Sequence, residues 1–219
     1  MDSEPRIEIL REARRDLKFL LNRGYRKPSA FKLVGDKYQL NKVERSILFR
    51  SVFSDQEAAL IRSKRIDVEM LRGQEILIDG FNVLNTVETM LRGKPLILCD
   101  DGVLRDFSEV HSKYRLSDLT EQALSAILSF LKGLEVARAE LLYESQISRS
   151  GEIAGLTRRM MKAIGIEGDA RTLRTVDSAL SRSQKIVATS DSAILLKCKH
   201  FVDIPQSLEL AKTAKIIRL

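Results

Sequence analysis

Five aspartates and one asparagine in this chain stand where short apolar runs end. "EILIDGFN" closes on Asp79, with Asn82 three residues on; "LILCDD" closes on Asp100 and Asp101; Asp177 opens the helical pattern after "ARTLR"; and Asp191 follows "KIVATS" directly. A carboxylate at the mouth of so apolar a strand is costly to bury unless it is paired or bound to a cation. No lysine or arginine stands at these strand ends to neutralise the acids, and like charges gathered together raise one another's pKa. A divalent cation is the simplest remedy. Oxygen donors without cysteine or histidine indicate Mg²⁺ or Mn²⁺ rather than zinc. Taken singly, an aspartate after a strand is more often a helix cap or an Asx-turn than a ligand, and Asp177 and Asp191 could each be caps. The metal reading rests on four strands delivering acids to one sheet edge, since open α/β sheets bind ligands beyond the carboxyl ends of their strands.

Other residues could serve the same edge. "SQISRSGEIAG" follows the run "AELLYE", so Ser148, Arg149 and Ser150 would hold phosphate oxygens there or simply cap the next helix. Arg105 and Lys113 could reach a phosphate backbone or be solvated charges. His111 reads as a loop histidine and Cys99 as a buried strand residue. The two cysteines and two histidines show no CxxC or HxxxH spacing, which disfavours structural zinc, and the absence of GxxxxGK[ST] disfavours an NTPase.

The elements that must position these residues are legible from periodicity. From Glu75 onward, the short runs "EILID", "LILCD", "AELLYE", "ARTLR", "KIVAT", "HFVDI" and "KIIRL" alternate with helical patterns near 81–92, 118–133, 149–164, 176–183, 191–197 and 205–213. That alternation predicts an α/β domain over residues 75–219, a three-layer sandwich around a mainly parallel central sheet. "DDGVLRDFSEVHSKYRLSD" has no clear period and is expected to be a long loop or lid.

Residues 1–72 read differently, as a small all-α domain. An amphipathic helix is predicted over 6–22, and helices capped by Asn41 with Glu44 and by Ser54 with Glu57 follow. "NRGYRKPSAFKLVGDKYQL" between them reads as turn-rich. This third of the 219-residue chain carries 17 Lys and Arg against 11 Asp and Glu, whereas residues 73–219 carry 20 against 19. The net charge of +7 is therefore concentrated in front, which favours a polyanionic partner. Candidate nucleic-acid contacts are Arg11, Arg14, Arg15, Lys18, Arg23, Arg26, Lys27, Lys32 and Lys37. Tyr25, Phe31 and Tyr38 lie among them, the mixture that holds single strands, although core packing would also use Phe31.

"ILIDGFNVL" together with "TVDSALSRSQKIVATSDSAIL" resembles the PIN and NYN nuclease superfamily over about residues 75–219. Those domains open on a strand ending in Asp-Gly-Tyr/Phe-Asn and close with an Asp-bearing helix, a strand and a Thr/Ser-x-Asp motif. The resemblance implies catalytic, metal-binding roles for Asp79, Asp177 and Asp191, a substrate-side role for Asn82, and flanking roles for Thr189 and Ser190. Two departures stand out. Ala193 occupies a position where many such domains carry a further acid. The helix-borne glutamate of typical members has no clear counterpart, so Asp100 or Asp101 is expected to replace it, with Glu121 and Glu152 behind. The chain as a whole also resembles a chiefly archaeal two-domain family of unknown function.

Three functions remain open. The first is a Mg²⁺- or Mn²⁺-dependent ribonuclease using Asp79, Asp177, Asp191 and Asp101 or Asp100. The second is a non-catalytic RNA- or ribosome-binding protein with a degenerate site. The third is a phosphatase-like or nucleotide hydrolase. The charged N-terminus without an apolar run, the sparse cysteines and the lack of a membrane-length stretch lead to the expectation of a soluble cytoplasmic protein.

Overall fold

The computed structural model describes residues 5–107 and 117–219. Four helices come first: α1 (Ile7–Asn22), α2 (Lys27–Lys37), α3 (Lys42–Ser51) and α4 (Asp55–Lys64). Both expected capping boxes form. Asn41 accepts from the Glu44 amide while Glu44 reaches back to the Asn41 amide, and Ser54 and Glu57 do the same for α4. The helix α2 corrects the turn-rich reading of residues 22–40. Pro28 lies in its first turn, where a proline costs nothing because that amide has no helical partner. Gly35, which looked like a breaker, leaves room for the Arg45 guanidinium that lies against it.

Then come β1 (Glu75–Asp79), α5 (Gly80–Leu91), β2 (Leu96–Leu98), β3 (Leu104–Arg105), α6 (Asp118–Gly133), β4 (Arg138–Glu144), α7 (Ser150–Ile164), β5 (Gly168–Leu173), α8 (Val176–Ser181), β6 (Ile186–Ala188), α9 (Ser192–Leu195), β7 (Phe201–Val202), α10 (Ile204–Ser207) and β8 (Ile216–Arg218). The main sheet has the order β5-β4-β1-β6-β7 and is parallel throughout. Its strands alternate faces, as the pleat requires. Ile76, Ile78, Leu141, Tyr143, Ala188 and Val202 join one core, with residues of α5, α6 and α7. Leu77, Leu142, Val187 and Phe201 join another, with residues of α8, α9 and Ile61 of α4. Residues 75–219 are thus an α/β unit with helices on both faces, preceded by an all-helical region.

The two regions are joined by side chains, not only by the chain. Ile97 and Cys99 enter the core of the helical region. The Lys64 ammonium donates to the carbonyls of Leu195 and Leu196, and the Ile66 amide to the Phe201 carbonyl at 3.0 Å. The second strand does not lie in the main sheet. β2 belongs to a separate three-stranded sheet of order β3-β2-β8, parallel to β8 and antiparallel to β3. The expected lid over residues 100–118 begins as a turn and the strand β3; His111 and Lys113 lie outside the described residues. Among the described residues, no helix is long and apolar enough to cross a membrane.

Candidate functional site

The carboxyl edge of the main sheet changes winding direction at β1. The chain runs from β1 to β4 and β5 on one side, then returns to β6 and β7 on the other. Crevices at such switch points are where α/β sheets hold ligands. Asp79 ends β1 and Asp191 follows β6, so both stand at this point.

The Asp-Gly-Phe-Asn segment is built for the place. Asp79 is only 5% exposed; its Oδ1 accepts from the Asn82 amide at 3.3 Å and its Oδ2 from the Thr189 hydroxyl at 2.8 Å. Gly80 lies so close to β4 that an added Cβ would press into the Tyr143 ring and come within 2.8 Å of the Leu142 carbonyl oxygen. Phe81 packs edge-on against Tyr143, centroids 5.1 Å apart, and anchors the start of α5. Asn82 then spans the switch point: its Oδ1 accepts from the Ser190 amide at 2.7 Å and the Ser190 hydroxyl at 2.9 Å. The Thr189 hydroxyl accepts from the Asp191 amide at 3.1 Å while donating to Asp79. Thr189, Ser190, Asn82 and Asp79 therefore form one network that fixes the β6–α9 turn against the end of β1. Asp191 caps α9 with its Oδ1, which takes the Ala193 amide at 2.7 Å.

Glu144, the last residue of β4, completes the edge and went unrecognised in the sequence. Burial holds its carboxyl above the usual range, and the charges of Asp177 and Asp191 add to the effect. Burial, reinforced chiefly by Glu144 and then by Asp191, pushes Asp79 up to about 7, even though Thr189 and Asn82 oppose the shift. Asp79, Glu144, Asp177 and Asp191 are thus one electrostatic cluster from β1, β4, the helix after β5 and the turn after β6. Raised carboxylates in a crevice are a functional signature, because structure alone gains nothing from them.

Asp100 and Asp101 lie elsewhere, contrary to expectation, because β2 is in the other sheet. Asp100 takes Arg14 Nη2 at 2.7 Å, Arg14 Nε at 3.0 Å and Lys18 at 3.2 Å, binding α1 to the second sheet. Asp101 is fully buried and forks to Arg105 at 2.8 and 2.5 Å. Both acids have the cationic neighbours that the sequence seemed to withhold. Arg105 is buried too, so it is no free phosphate contact. Its Nε donates to the Ser190 carbonyl at 2.7 Å, which makes it a brace behind the site.

Of the remaining candidates, Ser150 is buried as the first residue of α7, and Ser148 is exposed in the turn before it. Arg149 sits between them at φ 64°, an uncommon conformation for a side-chain-bearing residue, and pairs with Glu152 at 2.7 Å. Glu121 and Glu152 line an open cavity of about 490 Å³ between the first turns of α6 and α7, with Ser117, Asp118 and Arg159. In the helical region, Arg11 and Arg15 pair with Glu8 and Glu12, Lys32 with Asp36, and Lys37 with Asp16. Lys18 bridges Asp55 and Asp100. Arg23, Arg26 and Lys27 are the cations of that set without a carboxylate partner among the described residues.

The donor chemistry at the edge fits a hard divalent cation: four carboxylates, with hydroxyl and amide oxygens beside them and no sulfur or imidazole. Among the described residues, however, no three acidic, cysteine or histidine side chains stand close enough to enclose one ion in this conformation.

Comparison with known proteins places the chain in a lineage without placing it in a reaction. A family model described as a domain of unknown function (DUF5616) matches residues 68–207, and one described as a protein of unknown function (DUF434) matches residues 9–64. An uncharacterized protein of Methanocaldococcus jannaschii is 36% identical over 206 residues, which cover 93% of this chain and 98% of that protein. No solved structure matches the chain. With most of the α/β unit inside the first model and a relative alignable over nearly its whole length, the chain belongs to the DUF5616 family.

Proposed function

We propose that the chain is a divalent-cation-dependent ribonuclease whose site is the carboxyl edge of the main sheet. One observation carries the reading: Asp79, buried at the switch point, is raised by burial and by the charges of Glu144 and Asp191, and Glu144 by burial and the charges of Asp177 and Asp191, with no cation from the described residues paired to any of the four. Asp79, Glu144 and Asp191 would hold Mg²⁺ or Mn²⁺, with Asp177 on the exposed side. The cation would supply charge neutralisation of a phosphodiester and a more acidic water. The chain's own groups do the rest. Asn82, Ser190 and Thr189 fix the two acid-bearing segments against each other, and Arg105 holds the Ser190 carbonyl from behind. Glu144, half-buried and coupled in charge to Asp79, Asp177 and Asp191, ties the acids of β4 to those of β1 and β6. The likeness of "ILIDGFNVL" and "TSDSAIL" to PIN and NYN nucleases supports phosphodiester chemistry, and the basic front supports RNA as its polyanion, in a reducing compartment that suits the free Cys99 and Cys198. Labelled RNA incubated with Mn²⁺ or with EDTA, beside Asp79→Asn, tests it. Cleavage by wild type with Mn²⁺ alone supports the reading. Cleavage that survives EDTA or the substitution overturns it.

A second reading has its own observation. No three acids converge in this conformation, and Ala193 occupies the position of a further acid, its amide already satisfying Asp191. That arrangement favours an RNA- or ribosome-binding protein with a degenerate site, which would bind RNA in the first assay and leave it whole.

A further inference from the structure

Residues 17–35 contain no acid, and five cations lie among them. Two of these are spent inside the structure, Lys18 on Asp55 and Asp100 and Lys32 on Asp36. Arg23 and Arg26 remain on the short connection between α1 and α2, and Lys27 on the first residue of α2. Large rings surround that connection in the open. Phe19 is 56% exposed, Tyr25 58% and Phe49 44%. Exposed aromatics scattered singly need no explanation, but three on one basic connection form a patch.

Their mutual geometry is set by the backbone. Gly24, at φ +81°, ends α1: its amide donates to the Leu21 carbonyl at 3.0 Å and the next amide, of Tyr25, to the Leu20 carbonyl at 3.2 Å. This 6→1 and 5→2 pair of bonds is a Schellman turn, so Tyr25 is held back against the last turn of α1, the turn that carries Phe19. The Arg23 guanidinium lies 4.5 Å from the Phe19 ring centre. The Lys27 ammonium lies 5.0 Å from the Phe49 ring centre and 4.1 Å from that of Phe53. Asn22 at the base of the turn exchanges two hydrogen bonds with Asp55, both at 2.7 Å, which ties the connection to α4. Arg23 on Phe19 and Lys27 on Phe49 and Phe53 therefore already pair cation with ring.

We infer that Phe19, Tyr25 and Phe49 with Arg23, Arg26 and Lys27 form a docking platform for single-stranded RNA, bases stacking on the rings and phosphates lying against the cations. Every base offers a face to a ring, so the platform takes single strands without reading sequence, whereas a duplex keeps its bases stacked on one another. The unpaired charge supplies the complementarity. Lys27 adds to it: burial, helped by the charge of Arg105, holds its ammonium down at about 8, and a phosphate beside it would relieve that cost. The platform also adjoins the acid edge. Phe53 lies between Lys27 and Arg105, whose guanidinium is 5.0 Å from that ring, and Arg105 holds the Ser190 carbonyl. The inference shares with the proposed function only the premise that the polyanion is RNA; it does not need the acids to be catalytic.

The test is fluorescence anisotropy of the full chain with a labelled oligouridylate of about ten nucleotides and a duplex of equal length, in EDTA across a salt series. The single strand should bind in preference. Phe19→Ala and Tyr25→Ala should each weaken it about fivefold or more, and Phe19→Leu should not restore what Phe19→Ala loses, since a branched aliphatic covers the surface without stacking. Arg26→Gln should flatten the dependence of log affinity on log salt by about 0.7. Melting curves unchanged from wild type show that the variants fold. Equal binding of duplex and single strand with ring variants at wild-type affinity overturns the platform. Displacement by polyglutamate with the ring variants again unaffected also overturns it, in favour of an acidic protein. If Asp79→Asn loses the strand while the ring variants keep it, the RNA lies on the acid edge and the platform fails while the proposed site stands. Tight, ring-dependent binding without Mn²⁺-dependent cleavage leaves the platform standing and removes the nuclease.

Discussion

Replacing Asp79 by asparagine should stabilise the folded chain in EDTA at pH 8, and do much less at pH 5. The wild-type carboxyl is pushed from 3.8 up to about 7 by burial and by Glu144, so the folded state holds its proton more tightly than the unfolded state does. A raised carboxyl contributes most at low pH and loses that contribution as pH rises from the unfolded to the folded value. Over the whole window the loss is about 4 kcal/mol, a little over three pH units at roughly 1.4 kcal/mol each. Between pH 5 and pH 8 it is about 3 kcal/mol, because much of the unfolded-state ionisation is already complete at pH 5. Asparagine mimics the protonated acid. Its oxygen can face the Asn82 amide and its NH₂ can donate to the Thr189 hydroxyl, whose own hydrogen then turns away from residue 79. For a chain of this length, about 3 kcal/mol is a gain of roughly 5–10 °C in Tm over wild type on going from pH 5 to pH 8. Urea melts of both proteins at the two pH values isolate the effect, because groups titrating in both, such as the Glu44 carboxyl held at about 2 by Arg6, cancel. A mutant offset equal at pH 5 and pH 8 would refute the idea that Asp79 is buried against its neighbours' charge. Mg²⁺ at pH 8 should narrow the gap by stabilising wild type alone.

Other substitutions separate frame from site. Asp100→Asn should cost about 2–3 kcal/mol by urea melt, equally with and without Mg²⁺, because it leaves Arg14 half-buried without its acid and Lys18 with Asp55 alone; a Mg²⁺-dependent difference would return Asp100 to the metal site. Gly80→Ala should cost about 2–4 kcal/mol, since its Cβ meets the Tyr143 ring and the Leu142 carbonyl oxygen and neither can withdraw from a paired strand. A melt within 0.5 kcal/mol of wild type would show that α5 has slack there. Asn82→Ala should cost about 1–2 kcal/mol and weaken Mn²⁺ binding, because Ser190 loses the acceptor that fixes the Asp191 turn; unchanged Mn²⁺ affinity in a titration would show that the tether is only structural.

Strand ends with a helix behind them carry short-range signals, and Asp79, Asn82, Asp177 and Asp191 were readable for that reason. Glu144 obeys the same rule at the end of "AELLYE" but carries no local signal, because a glutamate, unlike an aspartate, seldom caps the helix that follows a strand. Asp100 and Asp101 were misplaced for a different reason. Which sheet a three-residue strand joins depends on distant partners, here Leu96 against Ile216, and no local pattern records that choice. The ion pairs were hidden likewise: Arg14 meets Asp100 across 86 positions, so a basic surface in the sequence became an internal clasp in the fold. Helix α2 was missed because Pro28 and Gly35 read as breakers. In the structure one stands in the first turn, and the other makes space for Arg45. The capping boxes, complete within four residues, survived translation unchanged.

The central claim is that Asp79, Glu144 and Asp191 hold a divalent cation. A crystal soaked in millimolar Mn²⁺ at pH 8, above the range in which Asp79 keeps its proton, addresses it through anomalous scattering. An ion should stand at the carboxyl edge between β1 and β6, about 2.0–2.3 Å from oxygens of at least two of these residues, with waters completing its shell. The same soak of Asp191→Asn should weaken or remove the peak. An empty edge in the wild-type crystal, with Mn²⁺ visible elsewhere or nowhere, would contradict the site and leave the protein a binder of RNA rather than a nuclease.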